Sequence, residues 1–144
     1  MMRDKLGLFG EDKNDRQLID DLLYWMEKYK IDYTNTFCHL MEIKIDEDTY
    51  KDEAFITWFD EWKKRSKLNN SSKEKQIELM KKNNPIVIPR NHKVEEALEA
   101  ANNNDLKPMN DLLSILKKPY TNQNGINKYQ EPSNNSKYQT FCGT

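Results

Sequence analysis

Glycine is scarce in this chain: four in 144 residues. A phosphate cradle needs glycines because backbone amides must approach the anion closely. Gly7-Leu-Phe-Gly10 has the spacing of a loop and not of a nucleotide grip, so the chain carries no ATP site made from its own residues. Histidine is rarer still, with two residues. Cys38 and His39 are neighbours, which on a helix point about 100° apart, and His92 has no partner at ligand spacing. A packing Cys and a surface His describe this better than a zinc site. Two cysteines, Cys38 and Cys142, make no disulfide framework and fit a reducing compartment.

Other absences narrow the class further. No apolar run approaches the roughly 18 residues of a membrane span. The opening MMRDKLGLFGEDKND has no apolar core of a signal peptide, so a cytoplasmic location is expected. Basic and acidic residues nearly balance, 23 against 24, for a net charge of −1. No basic excess draws the chain to nucleic acid or to anionic lipid. Hydrophobic residues make up 36%, charged residues 33%, and the mean hydropathy is −1.02. The core is therefore thin, and part of the chain is expected to lie outside it or against a neighbour.

What is present is helical periodicity. Leu18, Leu22, Trp25, Met26 and Tyr29 recur on one face, with Asn14 as a candidate N-cap. A second short helix starts near Thr34 and aligns Phe37, Leu40 and Met41. Glu42 to Asp48 reads as a brief extended turn. A third helix, capped by Thr49, carries Phe55, Trp58, Phe59 and Trp62, the strongest stripe in the chain. The spacing of Trp58 and Trp62 is that of core more than of an exposed platform. Lys63, Lys64, Arg65 and Lys67 then read as solvated cations at a helix C-terminus. Ser72 closes a loop and opens a fourth helix with Ile77 and Met80, which must stop by Asn84 because Pro85 follows. Pro85-Ile-Val-Ile-Pro89 is an apolar connector. Val94, Ala97, Leu98 and Ala101 mark a fifth helix. Pro108 opens a sixth with Met109, Leu112, Leu113 and Leu116. Beyond Pro119 periodicity ends in Asn, Gln, Ser and Lys, dotted with Tyr120, Tyr129, Tyr138 and Phe141. The expected organisation is all-α: about six short amphipathic helices in a subdomain 1–118, then an irregular Asn-rich tail 119–144, disordered or laid along another surface.

Cys142 stands apart. It sits in a polar tail, so its thiol is expected to be accessible, as an inert group or as a redox handle. No nucleophile and base pair is legible, and a small thiol enzyme built on Cys142 is the weakest of the readings.

Taken in order, the residues resemble the C-terminal region of the selenoprotein O (YdiU-like) family. The resemblance opens with Lys5-Leu-Gly-Leu8, Asp32-Tyr-Thr34 and Phe37 to Leu40, and continues through Trp58 and Arg65. Its clearest stretch is Asn84-Pro85-Ile-Val-Ile-Pro-Arg90-Asn91. Glu96-Ala97, Ala100-Ala101, Leu112-Leu113, Leu116 and Pro119-Tyr120 follow, with Tyr129 and Pro132 later. Position 89 departs, carrying Pro where the family tends to an apolar residue other than proline. The resemblance implies the C-terminal helical part of a protein kinase-like (pseudokinase) fold in a protein adenylyltransferase, which moves AMP from ATP, with Mg2+ or Mn2+, onto protein hydroxyls (AMPylation). It implies that the nucleotide and metal motifs lie in an upstream kinase-like region, the natural partner of this one, with protein substrates beyond it. No catalytic, cofactor or metal residue carries over. Asn84, Pro85, Arg90, Asn91, Pro119 and Tyr120 are then structural motif residues, with Asp32 tying a loop to a helix end. Some members carry selenocysteine third from the end, where Cys142 stands here, which implies a redox role. The alternative is a stand-alone helical protein-interaction module.

Overall fold

The computed structural model describes residues 1–43 and 48–133. Among these residues every regular element is a helix: α1 Met2–Lys5, α2 Asp15–Tyr29, α3 Tyr33–Leu40, α4 Glu53–Lys67, α5 Lys73–Asn83, α6 Asn91–Asn102, α7 Lys107–Leu116 and α8 Asn127–Gln130, with a 3-10 turn Thr49–Lys51 before α4. The six helices read from periodicity all form, and the two additions are single turns. No helix among the described residues is long and apolar enough to cross a membrane.

The caps follow local chemistry, with two changes from expectation. Asp32 accepts the amide of Asn35 at 2.8 Å and starts α3. Ser72 accepts the amide of Lys75 at the start of α5. Pro108 lies in the first turn of α7, where its missing N–H costs no bond. Thr49, however, does not cap α4. It belongs to the 3-10 turn, and Asp52 caps instead, its carboxylate accepting the Phe55 amide at 3.1 Å. Asn14 holds the N-cap position of α2 without a side-chain cap bond; its backbone, at φ −91° and ψ −5°, is outside the extended region that capping residues usually take. Of the expected turn 42–48, residues 44–47 lie outside the described residues.

The chain divides into two compact units, Met1–Asn84 and Pro85–Thr144. In the first, α2 packs on α4 and α1 on α5. Leu6, Leu22, Phe37, Trp58, Trp62 and Met80 are buried among its core residues, so the Trp58 and Trp62 stripe is core. Each tryptophan also satisfies its indole N–H. Trp25 donates to Asp52 Oδ2 at 2.8 Å, Trp58 to the Leu18 carbonyl at 2.8 Å, and Trp62 to the Leu6 carbonyl at 3.0 Å. A buried indole needs such a partner.

In the second unit α6 and α7 pack on each other across a short loop. Ala97, Leu112 and Ile115 face its core together with Ile86 and Val87 of the connector. Leu98 and Leu113, read from the sequence as part of the apolar stripes, are about half exposed. Residues 119–133 belong to this unit. Ile126, Tyr129 and Gln130 are buried, Gln130 Nε2 donates to the Ile86 carbonyl at 2.7 Å, and Gln123 Nε2 donates to the carbonyls of Ile115 and Lys118. Single side chains spaced irregularly along a polar stretch leave no periodic trace, so this packing is invisible to a search for periodicity. Tyr138, Phe141 and Cys142 lie outside the described residues.

Candidate functional site

The first unit is organised around its own N-terminal loop. Backbone groups of Lys5, Leu6, Gly7 and Phe9 are each taken by a side chain distant in sequence. Asn84 Nδ2 donates to the Lys5 carbonyl at 2.9 Å, Trp62 Nε1 to the Leu6 carbonyl, and Asn69 Nδ2 to the Gly7 carbonyl at 2.9 Å. Phe9 is held twice: its amide donates to Asn69 Oδ1 at 3.0 Å, and its carbonyl accepts Arg65 Nη2 at 3.1 Å. Buried backbone groups outside regular structure need such partners.

Gly7 is required at the centre. Its φ is +65°, and a Cβ there would lie 2.6 Å from Gln76 Cγ and 2.8 Å from Met80 Cγ. The loop thus passes against α5 with no room for a side chain.

Beneath the loop lies a buried ionic cluster. Asp15, in the first turn of α2, is 1% exposed. Arg65 grips it with two bonds, Nε to Oδ1 at 2.6 Å and Nη2 to Oδ2 at 3.2 Å. Arg3 Nε and the Asp12 amide complete the set at 3.0 and 2.9 Å. Burial alone raises the pKa of this carboxyl. The Arg65 hydrogen bond and charge, the Asp12 amide and Arg3 outweigh it and hold the pKa below the ordinary carboxylate value. Arg65 also bonds Asn69 Oδ1 at 3.0 Å. It is therefore not one of the solvated cations that its neighbours suggest. Lys63, Lys64 and Lys67 are exposed, while Arg65 is buried, because it points to the one face of α4 that meets α2.

Asn84 closes the unit. Its Nδ2 bonds both the Lys5 carbonyl and the last-turn Met80 carbonyl of α5 at 2.9 Å. The Lys5 amine returns the contact, reaching the Asn83 carbonyl at 2.8 Å and Asn84 Oδ1 at 3.4 Å. Burial lowers the Lys5 pKa from its ordinary value. Asn84→Ala orphans buried carbonyls and is expected to cost about 1–3 kcal/mol of unfolding free energy. Urea unfolding of the variant measures it; an unchanged midpoint would remove Asn84 from the bracing set.

The other motif residues act in the second unit. Pro85 ends α5 and begins the connector. The Ile86 amide donates to the Pro119 carbonyl at 2.8 Å, which joins two motif stretches distant in sequence. Arg90 is buried and stands at the N-cap of α6, where its carbonyl accepts the Val94 amide at 3.0 Å, and Asn91 is the first residue of that helix. The Tyr120 side chain is about half exposed.

Among the described residues no three His, Cys, Asp or Glu side chains gather into a metal site. Cys38 is buried in α3, and the His39 ring stacks on Tyr50 with centroids 4.0 Å apart. Burial and the charge of Lys93 lower the His92 pKa.

Asp15 and Asn69 are bracing residues that the sequence did not single out, because their partners lie up to 62 positions away.

Comparison with known proteins gives the family. Residues 1–117 match the family model of the protein adenylyltransferase SelO. The chain is 51% identical to the protein nucleotidyltransferase YdiU of Pelagibacter ubique, over 100% of its own length and 30% of that protein's. It is 46% identical to the protein of that name from Bacillus cytotoxicus and 47% identical to that from Clostridium botulinum, each over 99% of this chain and 30% of the relative. The chain thus spans about a third of the length of the curated relatives it matches. On that match and on the bracing residues it covers, the chain belongs to the SelO family.

Proposed function

We propose that this chain is the helical support region of a SelO-type protein adenylyltransferase. It braces a kinase-like catalytic region that transfers AMP from ATP to hydroxyl side chains of other proteins in the cytoplasm. When bound in that region, ATP with Mg2+ or Mn2+ supplies the transferred group. This chain's residues hold backbone in place and do not touch the reacting atoms. The observation that supports the reading is the fate of two residues of the resemblance: Asn84 and Arg65 spend their polar groups on the chain's own loop or its buried carboxylate. Residues of a reaction centre would keep polar groups directed at a cleft. Cys142 is the redox handle in this reading, a thiol that reports or tunes the catalytic region.

A chimera tests this, in which the chain replaces the matching 30% of the Pelagibacter relative. The folded chimera is expected to label protein from radioactive ATP, and the isolated chain is expected neither to label protein nor to bind ATP by calorimetry. ATP binding by the isolated chain would overturn the support role, and so would a folded but inactive chimera. Cys142→Ser in the chimera reads the redox part: its activity is expected to lose sensitivity to thiol oxidants.

A second reading, a stand-alone module that binds a partner protein, draws on Leu98, Leu106 and Leu113, which are 47% to 60% exposed in the second unit. A monomeric isolated chain with one sharp melt favours it; partial folding favours the support region.

A further inference from the structure

In the first unit a groove of about 380 Å³ runs between α2 and α4. That volume lies at the lower end of ligand-binding clefts, about 300–1,000 Å³. Its walls are aromatic. Tyr24 and Tyr29 are 65% and 47% exposed, and Trp25 and Trp58 form the deeper wall. The two indole N–H groups are already bonded within the unit, so the groove offers ring faces and not donors. Asp21 and Glu61 add two carboxylates to the lining, and Lys28 is its one cation. Asp21 accepts the Gln17 amide at 2.6 Å and Glu61 pairs with Lys64 at 2.6 Å. Both contacts are solvent-exposed and therefore readily exchanged.

Lys28 shows what the rings accept. Its Nζ sits 5.1 Å from the Tyr29 ring centroid and 6.0 Å from that of Tyr24, within the reach of a cation–π contact. Aromatic faces with an excess of carboxylates select a positive charge on an apolar stem: the ring quadrupole and the acids attract the head, and the walls cover the methylenes.

We propose that the α2–α4 groove docks a lysine or arginine side chain presented by an extended segment of a partner protein. Lys28 is the resident that this side chain displaces from the tyrosine rings.

The probe is a capped peptide Ala-Leu-Arg-Leu-Ala, compared with the same peptide carrying norleucine or Glu at its centre, titrated into the isotopically labelled full chain. The three tryptophan indoles serve as reporters. The Trp25 and Trp58 signals are expected to shift saturably with the Arg peptide, while Trp62, which does not line the groove, stays still. The norleucine and Glu peptides are expected to leave all three in place. Tyr24→Ala with Tyr29→Ala, both at exposed positions, is expected to weaken binding about tenfold with an unchanged melt. Lys28→Met is expected to tighten it by removing the resident cation. Absence of a saturable shift, or equal binding of the norleucine peptide, overturns the proposal. So does binding to the isolated chain that disappears in the chimera with the relative, because the rest of the longer polypeptide would then cover the groove.

Discussion

Asp15→Ala lowers the unfolding free energy by about 3–5 kcal/mol, the largest effect expected of a single substitution in this chain. The reason is what remains. Arg65 is buried and gives Asp15 two of its hydrogen bonds, so removing the carboxylate strands a guanidinium away from water. Arg3, 40% exposed along its side chain, turns to solvent at little cost. Chemical unfolding of the full chain measures the loss. A double variant with Arg65→Met is expected to recover a large part of it, since removing both charges leaves none unpaired. Additive losses in the double variant would show that the ion pair is not the cause.

The same carboxylate sets a pH dependence. Its folded pKa lies below the ordinary value, and the unfolded value is about 3.9. The unfolded chain therefore binds the proton first on acidification. The stabilisation is fully present above the unfolded pKa and is lost as pH falls toward and through the folded one. The native chain is expected to lose stability steeply below about pH 4, and Asp15→Ala to show a shallower acid limb. Equal acid limbs would place the sensitivity elsewhere.

Gly7→Ala is the second large effect. A residue with a side chain at φ +65° costs about 1–2 kcal/mol in the left-handed region. The new methyl meets Gln76 Cγ at 2.6 Å and the Gln76 carbonyl at 3.0 Å, and overpacking of this kind costs about 1–3 kcal/mol more. Gly10→Ala is the control. Its φ is +71° but no atom lies within 4 Å of the added Cβ, so only the backbone cost applies. The difference between the two melts isolates the contact of the loop with α5. Equal losses at both positions would show that no such contact constrains Gly7.

These two variants also mark where local reading stops. The helices were legible because a stripe such as Phe55, Trp58 and Trp62 repeats at the helical period, and because Pro85 and Pro108 punctuate it. Ser72 was legible as a cap, since a cap's partner lies three residues away, while Asp32 was marked only by the resemblance as tying a loop to a helix end, which its bond to the Asn35 amide does. Arg65 was not. It stands in a run of cations whose other members are solvated, and what distinguishes it is a carboxylate 50 positions earlier. The resemblance to a family marked Arg65, Asn84 and Pro119 as noteworthy without saying what they touch.

The sequence alone determined the all-helical class, the six longer helices and the helix boundaries marked by Ser72, Pro85 and Pro108, because each depends on neighbours within a turn or two. Only the tertiary structure decided which polar residues are interior and which loop they hold. Hydrogen bonds that join Lys5 to Asn84, Gly7 to Asn69 and Asp15 to Arg65 span 50 to 79 positions, and no local period encodes a pairing at that distance. It is fixed when the apolar faces of α2, α4 and α5 come together with Leu6 and Leu8 and bring these polar groups within reach of one another.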